Sequence, residues 1–433
     1  MEPYEIVKEG SIALLQLLCS SMRYGIITTG SRGDVQPFIA LALAMMEKGH
    51  DVTIVASENF RDFVKGFGVQ YRPVTGNSEQ IINSPDALKL LEGGSVFKFF
   101  YHLQKATARS AAQSNRDILA ACQDFDFLIT SILPLPVVYS IAGKYHKKCA
   151  AVFLSLPPIP TREFPFQAIG TKGHPWFNKL SYRLLGLGYL MISKQINKFR
   201  KEIGLPPANV MKAALRSGML ALTALSPQLI TQPRDWPPNA HITGFFFLPP
   251  SARQRQREVP EGLEDWLAKG DKPVYIGFGS IPVPNQARLY QALNGLLAKK
   301  RVVLGAGWSI MDELPVHPNL FAAKYIDHDW LMPRCSAVVI HGGIGTVAAA
   351  LRSGTPIIVV SVLADQPVNG TMIEEKRLGY HIPFKKLSSD RLLQAVESVQ
   401  DPLIVENCRR VSVAIKAEDG VGRAAELIEE YSF

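Results

Sequence analysis

Tyr24-Gly-Ile-Ile-Thr-Thr29, Gly30-Ser-Arg-Gly-Asp-Val-Gln-Pro37 and the apolar run that continues to Lys48 decide how this chain folds. The first six residues read as a β-strand, the octet as a glycine-rich turn, and Val35–Lys48 as a helix. Gly49-His50 ends that helix, and Asp51–Ala56 reads as the next strand. Strand, helix and strand in this order open an α/β domain. The strands carry Val and Ile on both faces instead of alternating with polar residues, as a parallel sheet covered by helices on either side requires.

Working outward, Phe125–Ser131 and Cys149–Leu154 read as further strands, with helices at Lys98–Cys122 and Pro136–Tyr145. A proline-rich loop from Leu156 to Pro165 leads into a long basic and aromatic stretch, His174 to Ile203. From Phe247 to Pro273 the composition turns to proline, glutamine and alternating charge, which marks a linker. The α/β rhythm then restarts with strand Pro273–Phe278, helix Gln286–Leu297, strands Arg301–Gly305 and Ala337–His341, helix Thr346–Ser353 and strand Pro356–Ser361. The expected organisation is one domain over 22–246, a linker over 247–273 and a second domain over 274–433. Residues 1–21 read as an extension outside the fold. Their apolar run, Ser11 to Cys19, is too short to span a membrane, and Glu2, Glu5 and Glu9 against Lys8 give the wrong charge for a signal peptide. Met22 stands directly before the first strand, so a misplaced start codon would account for the extension.

Composition narrows the class. With 433 residues, 47% of them hydrophobic and 20% charged, the chain is an ordinary globular protein of two or three domains, not a disordered, collagenous or disulfide-dense one. The net charge of +9 favours anionic partners without choosing among phosphates, membranes and nucleic acid. No nucleic-acid reading motif accompanies it. The five cysteines are scattered and form no C-x-x-C pair, which argues against a zinc ribbon and fits a reducing cytoplasm.

Four stretches have the makings of a site. In Gly30–Pro37 the glycines let backbone approach a ligand, Ser31 and Arg32 offer donors to phosphate oxygens, and Asp34 sits at a helix start; spacing alone leaves Asp34 open to a plain capping role. Ile340-His-Gly-Gly-Ile-Gly-Thr346 again runs from strand through glycine turn to helix, so its backbone N–H groups suit an anion, with His341 beside them. Read from Gly343, the spacing also leaves a dinucleotide site open. Asp365-Gln366 follows a strand end and suits vicinal sugar hydroxyls, or a simple turn before Pro367. Tyr275-Ile-Gly-Phe-Gly-Ser-Ile281 closes a strand on a flexible turn that presents Ser280. The acidic pair of Asp327-His-Asp329 resembles a metal-binding triplet, but its place before Trp330-Leu331 favours a loop and helix cap. No zinc-protease or serine-hydrolase motif occurs.

Together these motifs resemble the nucleotide-sugar-dependent glycosyltransferases of the GT-B architecture, in the branch of the sterol 3-beta-glucosyltransferases and the antibiotic (vancomycin-type) glycosyltransferases. Thr243-Gly-Phe-Phe-Phe-Leu248 and Asp329-Trp-Leu-Met-Pro-Arg334 add to the resemblance, which runs from Met22 to about Ala395. It implies two Rossmann-like domains with parallel sheets facing across a cleft, the acceptor held by the first and the donor by the second. The reaction it implies is inverting and metal-independent, and moves a hexose, glucose from UDP-glucose, to a hydroxyl of a sterol or other lipid-like acceptor; the UDP-sugar is a substrate and no cofactor is needed. Asp34 would be the general base, with Ser31 and Arg32 facing the diphosphate. His341, Gly342, Gly343, Gly345 and Thr346 would hold the diphosphate, joined by Ser280. Asp365 and Gln366 would hold the sugar, and Trp308 and Ile326 would read the base.

The chain departs from the family pattern in three places. Ile340 replaces the first of two consecutive histidines, Val362-Leu-Ala-Asp-Gln-Pro-Val-Asn-Gly370 lacks the aromatics usual around the sugar clamp, and Asp327 stands where proline is commoner. Transfer to a polyketide or peptide natural product, and sugar-nucleotide binding without catalysis, stay open beside the lipid reading. A nicotinamide oxidoreductase fits worse, since no acidic residue follows the second strand until Glu58. Over 174–202, Lys179, Arg183, Lys194, Lys198, Arg200 and Lys201 interleave with Trp176, Phe177, Tyr182 and Leu184. Such a face suits peripheral contact with an anionic membrane, or the wall of an acceptor pocket.

Overall fold

A computed structural model describes residues 21–77, 110–167, 170, 172–255, 259–279, 283–305, 314 and 316–432. Residues 1–20 of the expected extension, and residues 98–109 of the helix expected over Lys98–Cys122, therefore lie outside the described residues; 110–121 are helical.

Two sheets form the framework. The first has seven strands, β1 (Arg23–Ile27), β2 (Asp51–Ser57), β3 (Gln70–Val74), β4 (Phe127–Thr130), β5 (Lys148–Phe153), β6 (Leu220–Thr223) and β7 (Ala240–Ile242), in the order β3-β2-β1-β4-β5-β6-β7. The second has six, β8 (Val274–Gly277), β9 (Val302–Gly305), β10 (Leu320–Ala323), β11 (Ala337–Ile340), β12 (Ile357–Ser361) and β13 (Gly379–Pro383), in the order β10-β9-β8-β11-β12-β13. All pairings are parallel. Successive residues of a strand point to opposite faces, so Ile26 and Ile129 join one core while Ile27 and Leu128 join another. With helices on both faces, every residue of β2 after Asp51 is buried, which explains its unbroken apolar reading.

The helices used below are α1 (Arg32–Glu47), α2 (Leu135–Tyr145), α3 (Pro175–Ser181), α4 (Arg183–Glu202), α5 (Val210–Arg216), α6 (His328–Leu331), α7 (Ile344–Ser353), α8 (Gln366–Glu375), α9 (Pro402–Ala417) and α10 (Gly420–Ser432). Both strand orders reverse beside the strand that opens their half, between β1 and β4 and between β8 and β11. In open α/β sheets the crevice outside such a reversal is where ligands bind. The turn after β1 and the turn after β11 both stand at these reversals.

The chain crosses between the halves twice, and the crossings touch. Gly244 adopts the left-handed region at φ +108°, and a Cβ on Gly420 would lie only 2.5 Å from the Gly244 carbonyl carbon. Only glycine permits that approach. Beyond it, α10 returns to the first sheet: Leu427 and Ile428 enter its core, Glu429 bonds Lys48 Nζ and His50 Nε2 at 2.8 Å each, and Ser432 bonds the Tyr24 hydroxyl. Residues 250–255 and 263–268 are helical, and Arg253 pairs with Asp329 at 3.1 Å. Asp329 also pairs with the buried Arg352, whose guanidinium covers the Phe247 ring at 4.1 Å. The proline-rich segment is thus fastened to the second half.

Candidate active site

At the first turn, Ser31 caps α1 and Asp34 reaches back to it: Asp34 Oδ2 accepts both the Ser31 N–H at 2.7 Å and its hydroxyl at 2.9 Å. This reciprocal cap holds the carboxylate still. Gly30 makes room, since at φ +135° a Cβ there would meet Asp34 Oδ2 at 2.3 Å. Only Oδ2 is occupied by the described residues, which leaves Oδ1 available. Desolvation pushes the Asp34 carboxyl above its ordinary value, against the two Ser31 bonds. A carboxylate raised in this way is a better proton acceptor. Arg32 is exposed, with its guanidinium over the Phe63 ring at 4.5 Å.

At the second turn, glycines surround an imidazole. A Cβ on Gly343 would strike His341 Nε2 at 2.3 Å, and one on Gly279 would sit 3.0 Å from its Cε1. His341 is buried, and its Nδ1 has no hydrogen-bond partner among the described residues. Burial lowers its pKa to about 4, so the ring is neutral near pH 7. Next to it Gly343 caps α7 without any side chain. The N–H groups of Ile344 and Gly345 take no acceptor among the described residues, while that of Thr346 turns back to the Gly343 carbonyl at 3.0 Å. A buried ring nitrogen and the open start of a ten-residue helix make a cradle for an anion.

The third turn follows β12. Ala364 holds φ +60°, a left-handed conformation uncommon for a residue with a side chain, immediately before Asp365 at the start of α8. Asp365 Oδ2 accepts from Asn369 Nδ2 at 3.0 Å, and the same amide donates to the Gly342 carbonyl at 2.9 Å. Gly342 itself needs φ +91°, and a Cβ there would meet Val359 at 2.5 Å. Asn369 therefore ties the phosphate turn to the Asp365 turn. Gln366 behaves differently from an outward-facing clamp: its Oε1 accepts from Val362 N and Leu363 N at 2.8 and 3.1 Å, so only its amide nitrogen remains for a ligand.

The turns face one another across the cleft. Desolvation, and after it the charge of Asp34, raise the Asp365 pKa against the Asn369 bond. His328, on α6, is lowered chiefly by burial, with Arg32 of the opposite half adding to the effect. The His328 ring meets the Tyr275 hydroxyl at 2.9 Å, which fits because Gly277 and Gly305 have no Cβ to collide with it. Asp327 caps α6 by accepting from Asp329 N, and Asp329 serves Arg253 and Arg352, so both carboxylates of the acidic triplet are engaged in structure. Ile326 is half-buried against a core of the second sheet. Ser280 and Trp308 lie outside the described residues.

With that geometry in place, known proteins match closely in arrangement. Residues 24–128 match the glycosyltransferase family 28 N-terminal domain, and residues 306–422 match the erythromycin biosynthesis protein CIII-like C-terminal domain. An O-mycaminosyltylonolide 6-deoxyallosyltransferase of Streptomyces fradiae is 31% identical over 432 residues, covering 95% of this chain and 98% of that protein. The chain belongs to the GT-B glycosyltransferases. A sterol 3-beta-glucosyltransferase of Arabidopsis thaliana is 31% identical over 428 residues; this glycosyltransferase spans 64% of its length. In structure, the kitacinnamycin glycosyltransferase superposes with a TM-score of 0.70 at 18% identity, over 94% of this chain and 98% of that one. The calicheamicin glycosyltransferase CalG4 gives 0.68 at 16%, over 95% and 98%. A Streptomyces glycosyltransferase crystallised with thymidine diphosphate gives 0.59 at 20%, over 94% and 99%. At these identities the likeness concerns the fold.

Two residues of this glycosyltransferase escape the motif reading. Asn369 stands in the sequence only as a departure from an aromatic position, and His328 only as the middle of an acidic triplet. No local signal marks either, because the partners of Asn369 lie across two turns, and those of His328 are Tyr275 on β8 and, across the cleft, Arg32.

Proposed function

We propose that the protein transfers a hexose, glucose from UDP-glucose, with inversion to a hydroxyl of a sterol or other lipid-like acceptor. The observation that carries this reading is the arrangement at the cleft: Asp34 with one free oxygen opposite Asp365, beside the orphaned His341 nitrogen and the open start of α7. In this reading Asp34 Oδ1 takes the proton of the acceptor hydroxyl as the hydroxyl oxygen bonds to the anomeric carbon. The bond to the diphosphate breaks on the opposite face, through an oxocarbenium-like state. Charge then gathers on the diphosphate, where fixed donors at α7 and His341 are worth a few kcal/mol because they need no reorganisation. Asp365 and the Gln366 amide nitrogen hold sugar hydroxyls. The sterol glucosyltransferase relatives support the donor and acceptor classes. The reading places the protein in the cytoplasm and, through 174–202, peripherally on a membrane; no helix among the described residues is long and apolar enough to cross one.

A second reading has its own support. The Streptomyces fradiae relative, named for a 6-deoxyallose transfer to a tylonolide, is matched over 98% of its length, which favours a polyketide-type acceptor. Calorimetry with UDP-glucose and TDP-glucose, followed by transfer assays on a sterol and on a macrolide, separates the two. Asp34→Asn keeps the Ser31 cap and removes the base, so turnover should fall by about 10²–10⁴-fold with UDP affinity unchanged. A variant retaining more than a tenth of wild-type turnover removes Asp34 from that role.

A further inference from the structure

The loop through Pro158 and Pro160, the α3–α4 junction and the outer side of α5 enclose a cavity of about 1140 Å³. None of the residues assigned to the Asp34–His341 site lines it. Five cations do, Arg162, Lys179, Arg183, Lys212 and Arg216, with no Asp or Glu among the lining residues. All five are exposed, and none is ion-paired among the described residues. The floor is different in kind: Tyr182, Tyr189 and Met211 are buried there, while Trp176 and Leu180 stand 63% and 40% exposed at the rim.

Five like charges around one cavity repel one another, and the repulsion is relieved by an anion. An inorganic anion would answer the charges and leave the apolar floor and Trp176 wet. A cavity that is cationic at its rim and aromatic and aliphatic within complements a molecule carrying a phosphate on a hydrocarbon body. Trp176 and Leu180, with Leu184 nearby at 43% exposure, extend the apolar surface outward.

We propose that this cavity binds one anionic phospholipid of a membrane surface, with its phosphate among the five cations and the upper part of its acyl chains over Tyr182, Tyr189 and Met211. The inference rests on the membrane reading of 174–202 and deepens it, because Arg162, Lys212 and Arg216 lie outside that stretch and join it only through the fold. The lipid would hold the first half against the leaflet from which a lipid-like acceptor comes.

The test is sedimentation of the full chain with phosphatidylcholine vesicles, with and without phosphatidylserine, while UDP binding by calorimetry reports on folding. Wild type should partition at least tenfold more strongly onto the serine-containing vesicles. A basic residue near an anionic surface contributes about fivefold, so the double variant Lys212→Gln/Arg216→Gln should lose about 25-fold, and Lys212→Glu/Arg216→Glu more. Trp176→Ser should weaken binding as well. If both double variants bind UDP and vesicles like wild type, the lipid site is wrong while the membrane contact of 174–202 stands. If wild type ignores serine-containing vesicles, both fail. If a single-stranded oligonucleotide displaces the vesicles and Trp176→Ser changes nothing, the cavity is a general anion patch and the proposal falls.

Discussion

Replacing Asn369 by alanine tests how the cleft is held together. Asn369 is 4% exposed, and its single amide group joins the Gly342 carbonyl at 2.9 Å to the Asp365 carboxylate at 3.0 Å. A neutral hydrogen bond contributes about 1 kcal/mol, one to a charged group about 1.5–3, and the partners left behind are buried or half-buried with nothing to replace the amide. Asn369→Ala should therefore cost about 2–4 kcal/mol of stability, read as a lower urea midpoint. The functional loss should be uneven. Asp365 already has a raised pKa, and removing the bond that opposes the rise pushes it further up and leaves the carboxyl free to turn. UDP-glucose affinity should fall by roughly ten- to a hundredfold, while UDP, which lacks the sugar, should lose less. Calorimetry with both ligands makes the comparison. Equal losses for UDP and UDP-glucose would mean that Asn369 supports the phosphate turn alone, and a stability change below about 0.5 kcal/mol would refute the bridge.

Protonation supplies a second expectation. His341 is held near pKa 4 against 6.5 in the unfolded chain, so from pH 6.5 down to about 4 the unfolded state binds a proton that the folded state refuses. Stability contributed by the neutral ring is complete above pH 6.5 and is lost as pH falls through that window, by about 3 kcal/mol. Urea unfolding of wild type and His341→Gln at pH 4.5 and 7.5 isolates this slope from the opposite one of Asp34 and Asp365, whose raised values make acid favourable to the fold; identical slopes would contradict it. Ile428→Ala, near the end of the chain yet fully buried in the core of the first sheet, should cost about 2–4 kcal/mol and expose the first half to protease. A loss confined to fragments of the second half would count against the return of α10.

Much of the framework is legible because local rules wrote it. The strands of Ile26, Ile54 and Val338 read as buried on both faces, and the structure keeps them in parallel sheets within a residue or two of the expected ends. Edge strands such as Gln70–Val74 and Ala240–Ile242 carry no comparable run; Gln70 is exposed and Tyr71 and Arg72 half-buried, so their apolar pattern is faint and pairing decides them. The glycines at 30 and 343 are legible for the same local reason, since each stands where a Cβ would collide with a carboxylate or an imidazole a few residues away.

What the sequence by itself determined is the kind of turn: strand, glycine, donor and helix start, repeated in two halves with Asp34, His341 and Asp365 at strand ends. Those choices depend on backbone torsions and on neighbours a few residues away, and such constraints leave their mark in order along the chain. Only the tertiary structure decided that Asn369 bridges the Gly342 and Asp365 turns and that α10 crosses back to pack on α1. It also gathered Arg162, Arg183 and Arg216 around one cavity. Each of these joins residues far apart in sequence, and their meeting depends on strand order and on which face each helix covers, quantities set by the packing of the whole chain and by no single segment of it.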